Sequence, residues 1–384
     1  MLQKKSQRNL RPLLSAGILV VILGIFAGLF LYAKAPSTET AVDSGSAFET
    51  GTVTQILSDS CEEDPRAQNA YRGEQKLIVE VTSGTRKGTS VMADNAVGIL
   101  TDYAPVKVGQ SVILHISTYE NGEFMVTVYG PNREIMIYVI LGLFLLTTVL
   151  VGGKTGLKSI LGLVLTVLVL LGVFLPLLAK GWYSIPTSFL LCSLIAIACF
   201  VILGGCSKKT LCACAGTIAG MVLAMLFGMI AQRLLQIDGY QAEYADALHN
   251  ERLTGTPFEI RGLIVAGVII SSLGAVMDVA MSISSALSEL KSVNPEMKTA
   301  ALWRSGMNIG RDMVGTMTNT LILAILGSSV ILILYIFSMQ LPSNQLLSSS
   351  FLAIEVVSSV ASAIGVILAV PLTTLCAALF YGRK

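Results

Sequence analysis

The sequence predicts an α-helical integral membrane protein of about eight transmembrane helices, with a small extracytoplasmic β-barrel-like domain of the OB type after the first helix. Three observations carry that prediction. Of 384 residues, 53% are hydrophobic and only 13% are charged, half the charge that a soluble domain of ordinary composition carries. The apolar residues collect in runs of about 20, the length that crosses a hydrocarbon core about 30 Å thick. One polar stretch, residues 37–132, instead alternates apolar and polar positions in short segments bounded by turn residues.

The first apolar run covers residues 13–33, after Lys4, Lys5, Arg8 and Arg11. It exceeds a signal-peptide core, and Pro36 would follow the only small-residue cleavage point, so residues 1–36 read as a cytoplasmic N-terminus and an uncleaved anchor. Seven further runs fall at 135–151, 159–179, 187–204, 211–231, 262–287, 313–339 and 351–380, within a membrane domain at 133–384. Charge placement orients them, because Lys and Arg in short loops mark the cytoplasmic side. With the N-terminus inside, the inner segments hold Lys154, Lys158, Lys208, Lys209, Lys291, Lys298, Arg304, Arg311, Arg383 and Lys384, whereas the two short outer loops hold Lys180 alone. Both termini and a linker at 288–311 are then cytoplasmic, and residues 37–132 and a loop at 232–261 lie outside. Within the outer domain, strands are expected at 48–57, 76–81, 89–92, 110–117 and 123–129, with turns at Ser83-Gly84 and Asn121-Gly122.

Several motifs reduce to packing or to turns. Gly152-Gly153-Lys154-Thr155 lacks the glycine that a phosphate loop needs five positions earlier, where Thr148 stands, so no nucleotide is expected. Cys206, Cys212 and Cys214 lack paired metal-ligand spacing, and His115 and His249 fall on the opposite side of the membrane, so no metal or other cofactor is expected. Gly216, Gly220 and Gly228 are spaced for close helix packing in lipid. A net charge of +2 without a basic block points away from nucleic acid, and no arrangement of catalytic groups points to an enzyme.

Intramembrane charge is the strongest functional signal. Asp278 lies about 24 Å along its helix from Gly262 at 1.5 Å per residue. A carboxylate there costs roughly 2.5–3.5 kcal/mol, so it is expected to avoid lipid. It belongs to a stripe of Ser271, Gly274, Asp278, Ser282, Ser285 and Glu289 at helical spacing. The next span carries Asn308, Arg311, Asp312, Thr316 and Asn319, and the last carries Glu355, Ser359, Ser362 and Gly365. These are expected to line one intramembrane polar seam. Two readings stand side by side: a proton- or cation-binding carboxylate, or a buried Asp278–Arg311 or Asp278–Asn319 pair that sets helix register.

The order of features resembles the YibE/F-like family of bacterial membrane proteins. The resemblance rests on Gly51-Thr-Val-Thr-Gln-Ile, Gly152-Gly-Lys-Thr-Gly-Leu-Lys-Ser and Lys208-Lys-Thr-Leu-Cys-Ala-Cys-Ala-Gly-Thr-Ile-Ala-Gly. Its most specific parts are Gly274-Ala-Val-Met-Asp-Val-Ala-Met-Ser-Ile and Ser305-Gly-Met-Asn-Ile-Gly-Arg-Asp-Met-Val-Gly-Thr-Met-Thr-Asn-Thr-Leu-Ile-Leu-Ala. Where that pattern continues with Tyr and then Leu-Pro, this chain has Ile325 and Ser328-Ser329. The resemblance implies a multi-pass protein of the bacterial cell membrane, and says more about architecture than about activity. The lipid bilayer is the expected surrounding. The leading functional expectation is a permease or gradient-coupled transporter of a small solute or ion. The alternative is an envelope scaffold or accessory protein that docks a membrane or envelope partner through its outer β domain.

Overall fold

The computed structural model describes residues 2–34, 46–65, 70–98, 105–119, 124–242, 245–253 and 259–382. Its contacts divide the chain into two units, residues 38–147, and residues 1–37 together with 148–384.

The first unit holds a closed five-stranded barrel. Strands β1 (Ser46–Asp59), β3 (Tyr71–Val81), β4 (Ser90–Val97), β5 (Ser111–Thr118) and β6 (Phe124–Pro131) pair in the order β1-β5-β6-β4-β3, and a β1–β3 pairing closes the circle. Strand β2 is a two-residue extension, Glu62–Glu63, beside the start of β3. All pairings are antiparallel except β4 with β6, where Asp94 lies opposite Thr127. This is a Greek-key closure of the OB type. Period-two alternation makes the core: Val91, Ala93 and Val97 of β4 and Val112, Leu114 and Ile116 of β5 point inward with Leu77, Val79 and Val128. The five expected strands all form, and β3 begins five residues earlier than its apolar alternation suggests. The expected turn at Asn121-Gly122 lies outside the described residues, whereas Gly84 takes the positive φ of 78° its turn requires.

Gln75 and Asn95 are buried polar side chains of this barrel, and they hydrogen-bond to each other. The Asn95 side-chain amide donates to Gln75 Oε1 at 2.9 Å, and the Val106 backbone N–H donates to the same oxygen at 2.9 Å. Gln75 in turn donates to Asp59 Oδ2 at 2.8 Å. Hydrogen bonds from the Cys61 backbone and from Gln75 hold the Asp59 carboxyl below its usual range. Burial and the adjacent Asp59 push the Cys61 thiol up to about 11.

The second unit is helical. Helix α1 (Leu2–Lys34) is followed, beyond the barrel, by α2 (Glu134–Val169), a π-helical turn at Leu170–Phe174, α3 (Leu175–Ala179), α4 (Ser184–Gly204) and α5 (Lys208–Leu234). Then come the short α6 (Ala245–Leu253), α7 (Leu263–Val293), α8 (Thr299–Ser328), α9 (Val330–Ser338), α10 (Ser343–Leu347) and α11 (Ser350–Gly382). Helices α5, α7 and α11 pack on one another. Helix α4 covers α5 and α7, and α8 lies mainly along α11. Ile22 and Phe26 seat α1 in the cluster formed by α4 and the π turn.

Among the described residues, five helical stretches are long and apolar enough to cross a membrane, and the bent pair α8–α9 makes a sixth. The sequence counts eight, and the two counts differ in two places. In α1 the apolar stretch among the described residues is Ala16–Tyr32. The stretch Glu134–Ala179, 46 residues, merges two expected spans. At 1.5 Å per residue a straight helix of that length would reach about 69 Å, over twice the hydrocarbon thickness. It is not straight. Gly153 takes φ 53° and ψ −132°, a conformation that a residue with a side chain rarely adopts. The chain turns so sharply there that a Cβ on Gly156 would collide with the Thr148 carbonyl oxygen. The run expected at 313–339 is bent, since α8 and α9 meet at 60° about Ser329. The bend falls where Ser328-Ser329 stand.

Candidate functional site

Helix α7 is amphipathic in a way suited to lipid rather than water. Val265, Val268, Ile269, Val276, Val279, Ala280, Ile283 and Leu287 bury one side against α4, α5, α8 and α11. The other side carries Gly267, Ser271, Gly274, Asp278, Ser282 and Glu289, all exposed, with Ser285 half-buried. Among the described residues, no atom outside the adjacent turns of α7 lies within 4 Å of where a Cβ would stand on Gly267 or Gly274. Ser271 sits at the rim, where its hydroxyl and that of Ser362 on α11 share a hydrogen bond of 2.8 Å. Among the described residues, the Asp278 carboxylate has neither a hydrogen bond nor an ion pair. The pairings with Arg311 or Asn319 expected under the register reading are not formed.

Helix α8 repeats the pattern. Leu302, Gly306 and Gly310 are buried, and Gly306 and Gly310 lie hard against Thr374 and Val370 of α11. Asn308, Arg311, Asp312, Gly315, Thr316, Asn319 and Thr320 face outward. The two threonines are satisfied within their own helix, Thr316 Oγ1 donating to the Met313 carbonyl at 3.1 Å and Thr320 Oγ1 to the Thr316 carbonyl at 2.9 Å. The side chains of Asn308, Arg311, Asp312 and Asn319 have no partner among the described residues.

Helix α11 contributes differently. Ser359, Ser362 and Gly365 are buried between helices, and only Ser362 reaches the α7 stripe. Glu355 is half-buried elsewhere, lining a recess of about 200 Å³ under the α8–α9 bend with Ile322, Ser329, Ile336 and Leu352. No α7 residue lines that recess. The structure therefore separates the expected residues into an exposed stripe on α7, another on α8 and a distinct pocket at Glu355.

Sequence reasoning missed one concave feature. A cleft of about 500 Å³ opens where the start of α4, the end of α5 and the start of α7 meet, lined by Ile185, Met229, Gln232, Arg233, Gln236, Ile237, Asp238, Glu259, Arg261 and Gly262. Its residues come from three separated segments, so no spacing in the sequence announces it. The seven cysteines are all free. Cys212 and Cys214 look to different sides of α5, one into the α7–α11 cluster and one into the α4 cluster.

Helices of this length and apolarity, packed through small residues, define a multi-pass membrane protein. Residues 140–383, more than half of the chain, match the YibE/F-like protein family, and the chain belongs to that family. The matched region starts after the barrel, so the stretch beginning at Gly51 lies outside it. No curated protein and no solved structure matches.

Proposed function

We propose that the chain spans the cell membrane eight times with both ends cytoplasmic, and that the open face of α7 and α8 is the ion- or solute-handling surface of a gradient-coupled permease. The count of eight rests on α1 acting as an anchor, on the break at Gly153 dividing residues 134–179 into two crossings, and on the lysines and arginines of the inner segments. The barrel then lies on the outer side. One observation carries the functional reading: Asp278, without a partner among the described residues, stands on an exposed stripe of small and polar residues in a helix that is otherwise apolar. A carboxylate turned to lipid at that depth would cost roughly 2.5–3.5 kcal/mol. A water-filled path beside α7 removes that cost, and carboxylate, hydroxyl and amide groups along it can pass a proton or a small cation.

The test is flux. Purified native protein and Asp278→Asn are reconstituted in liposomes and their proton and sodium fluxes compared. The amide keeps the shape but cannot ionise, so flux is expected to fall at least tenfold with the melting temperature unchanged. Equal flux in the two proteins would sink the reading. A scaffold role draws on a different feature, an exposed aromatic cluster on the barrel. Phe48 stacks on His115 at 4.7 Å between ring centres and meets Tyr129 edge-on at 5.4 Å. If docking is the function, Phe48→Ala with Tyr129→Ala abolishes the cellular phenotype while Asp278→Asn leaves it intact.

A further inference from the structure

The cleft at the α4, α5 and α7 ends is lined by Ile185, Met229, Ile237 and Gly262 together with a set of charged and polar residues. Part of that set is already engaged. The Glu259 carboxylate accepts the backbone N–H of Ser184 at 2.5 Å, and the Ser184 hydroxyl donates to the Glu259 carbonyl at 3.0 Å. The Gln232 side chain donates to the Arg261 carbonyl at 2.9 Å. Three charged groups are left over. The guanidinium groups of Arg233 and Arg261 are exposed and have no acceptor among the described residues. Asp238 Oδ1 is buried without a hydrogen-bond partner among those residues. A buried carboxylate oxygen without a donor is costly, and two guanidinium forks on one cleft call for an anion. At about 500 Å³ the cleft has the size of a small-molecule site.

We propose that this cleft binds a zwitterion in which a primary ammonium is joined to a phosphate or carboxylate, the anion held by Arg233 and Arg261 and the ammonium by Asp238. The inference is independent of the reading of Asp278. The same chemistry occurs in an ethanolamine phospholipid headgroup and in free solutes such as amino acids, and both sources satisfy these charged groups. The apolar lining suits the glycerol end of the one or the side chain of the other.

The experiment uses the full chain in phosphatidylcholine nanodiscs, titrated calorimetrically with glycerophosphoethanolamine, glycine, leucine, glycerophosphocholine and inorganic phosphate. At least one primary-ammonium zwitterion is expected to bind ten times more tightly than glycerophosphocholine, whose quaternary ammonium has no N–H to give Asp238. Arg233→Gln with Arg261→Gln should weaken that binding at least tenfold, and Asp238→Asn should erase the ethanolamine-over-choline or amino-acid-over-phosphate preference. Replacing part of the lipid by phosphatidylethanolamine should block the free probe if the lipid is the occupant, and leave it unaffected if a solute is. No binding by any primary-ammonium probe, equal binding of glycerophosphocholine, or full binding by the double arginine variant would overturn the proposal. Should the double variant fail to fold, the preferences of the native protein decide alone.

Discussion

Helices α5 and α7 carry nearly the same pattern, small residues every three or four positions through an apolar helix, and the structure uses them in opposite ways. On α5 the stripe is filled. A Cβ on Gly220 would stand 2.9 Å from Val276 and 3.1 Å from the Gly365 carbonyl oxygen, and Gly216 lies hard against Thr373. Close approach of this kind lets dispersion hold helices together in lipid, where apolar burial adds little. On α7 the Gly267–Gly274–Asp278 stripe faces open space. A small-residue stripe thus has two uses in a membrane, to admit a neighbouring helix or to leave room for something else, and spacing does not distinguish them.

The sharpest way to break the comparison is to fill both stripes. Gly220→Leu should destabilise the helical unit by roughly 3 kcal/mol or prevent its assembly, because the side chain meets backbone that cannot yield. Gly274→Leu should change stability by less than about 0.5 kcal/mol, as surface substitutions do. Unfolding in mild detergent measures both, and equal losses would show that the α7 stripe is covered after all.

The buried polar groups of the barrel give the next contrast. Gln75→Leu removes the acceptor of two buried donors, Asn95 and the Val106 N–H. It should cost about 2 kcal/mol. The isolated fragment 46–132, whose core is closed on itself, should melt cooperatively and show the loss directly. Among the described residues Asp278 has no such partner. A double-mutant cycle of Asp278→Asn with Arg311→Gln should therefore be additive within about 0.5 kcal/mol, and coupling beyond that would restore the register reading.

The smallest effect is chemical. Because the Cys61 thiol is raised to about 11, little thiolate exists near neutrality, and its alkylation should be slow and should accelerate as pH rises toward 11. Asp59→Asn removes a neighbouring negative charge that raises the thiol, so the variant should react faster at a fixed pH. An unchanged rate would mean that burial alone sets it.

Five barrel strands were legible because one face of each is buried and the other wet, which writes a period of two into residues such as Val91, Ala93 and Val97. The apolar runs of α4, α5, α7 and α11 were legible for the reason that lipid demands length and apolarity of any crossing helix. The break at Gly153 was readable only as a turn, and the bend at Ser329 not at all, since neither residue type compels a bend of that size. The expected seam groups Glu355 with Asp278, whereas Glu355 lines a separate recess.

Composition and periodicity thus marked which segments are apolar enough to cross a membrane, which form a small β-sheet and which side chains share a helical face, because these follow from local geometry and the solvent around each residue. Neighbours are another matter. That Gly220 meets Gly365 while Gly274 meets no neighbouring element among the described residues, that Arg233, Asp238 and Arg261 converge on one cleft, and that Asp278 stands without Arg311 depend on how separated segments pack in three dimensions. No spacing along a single helix encodes the position of another.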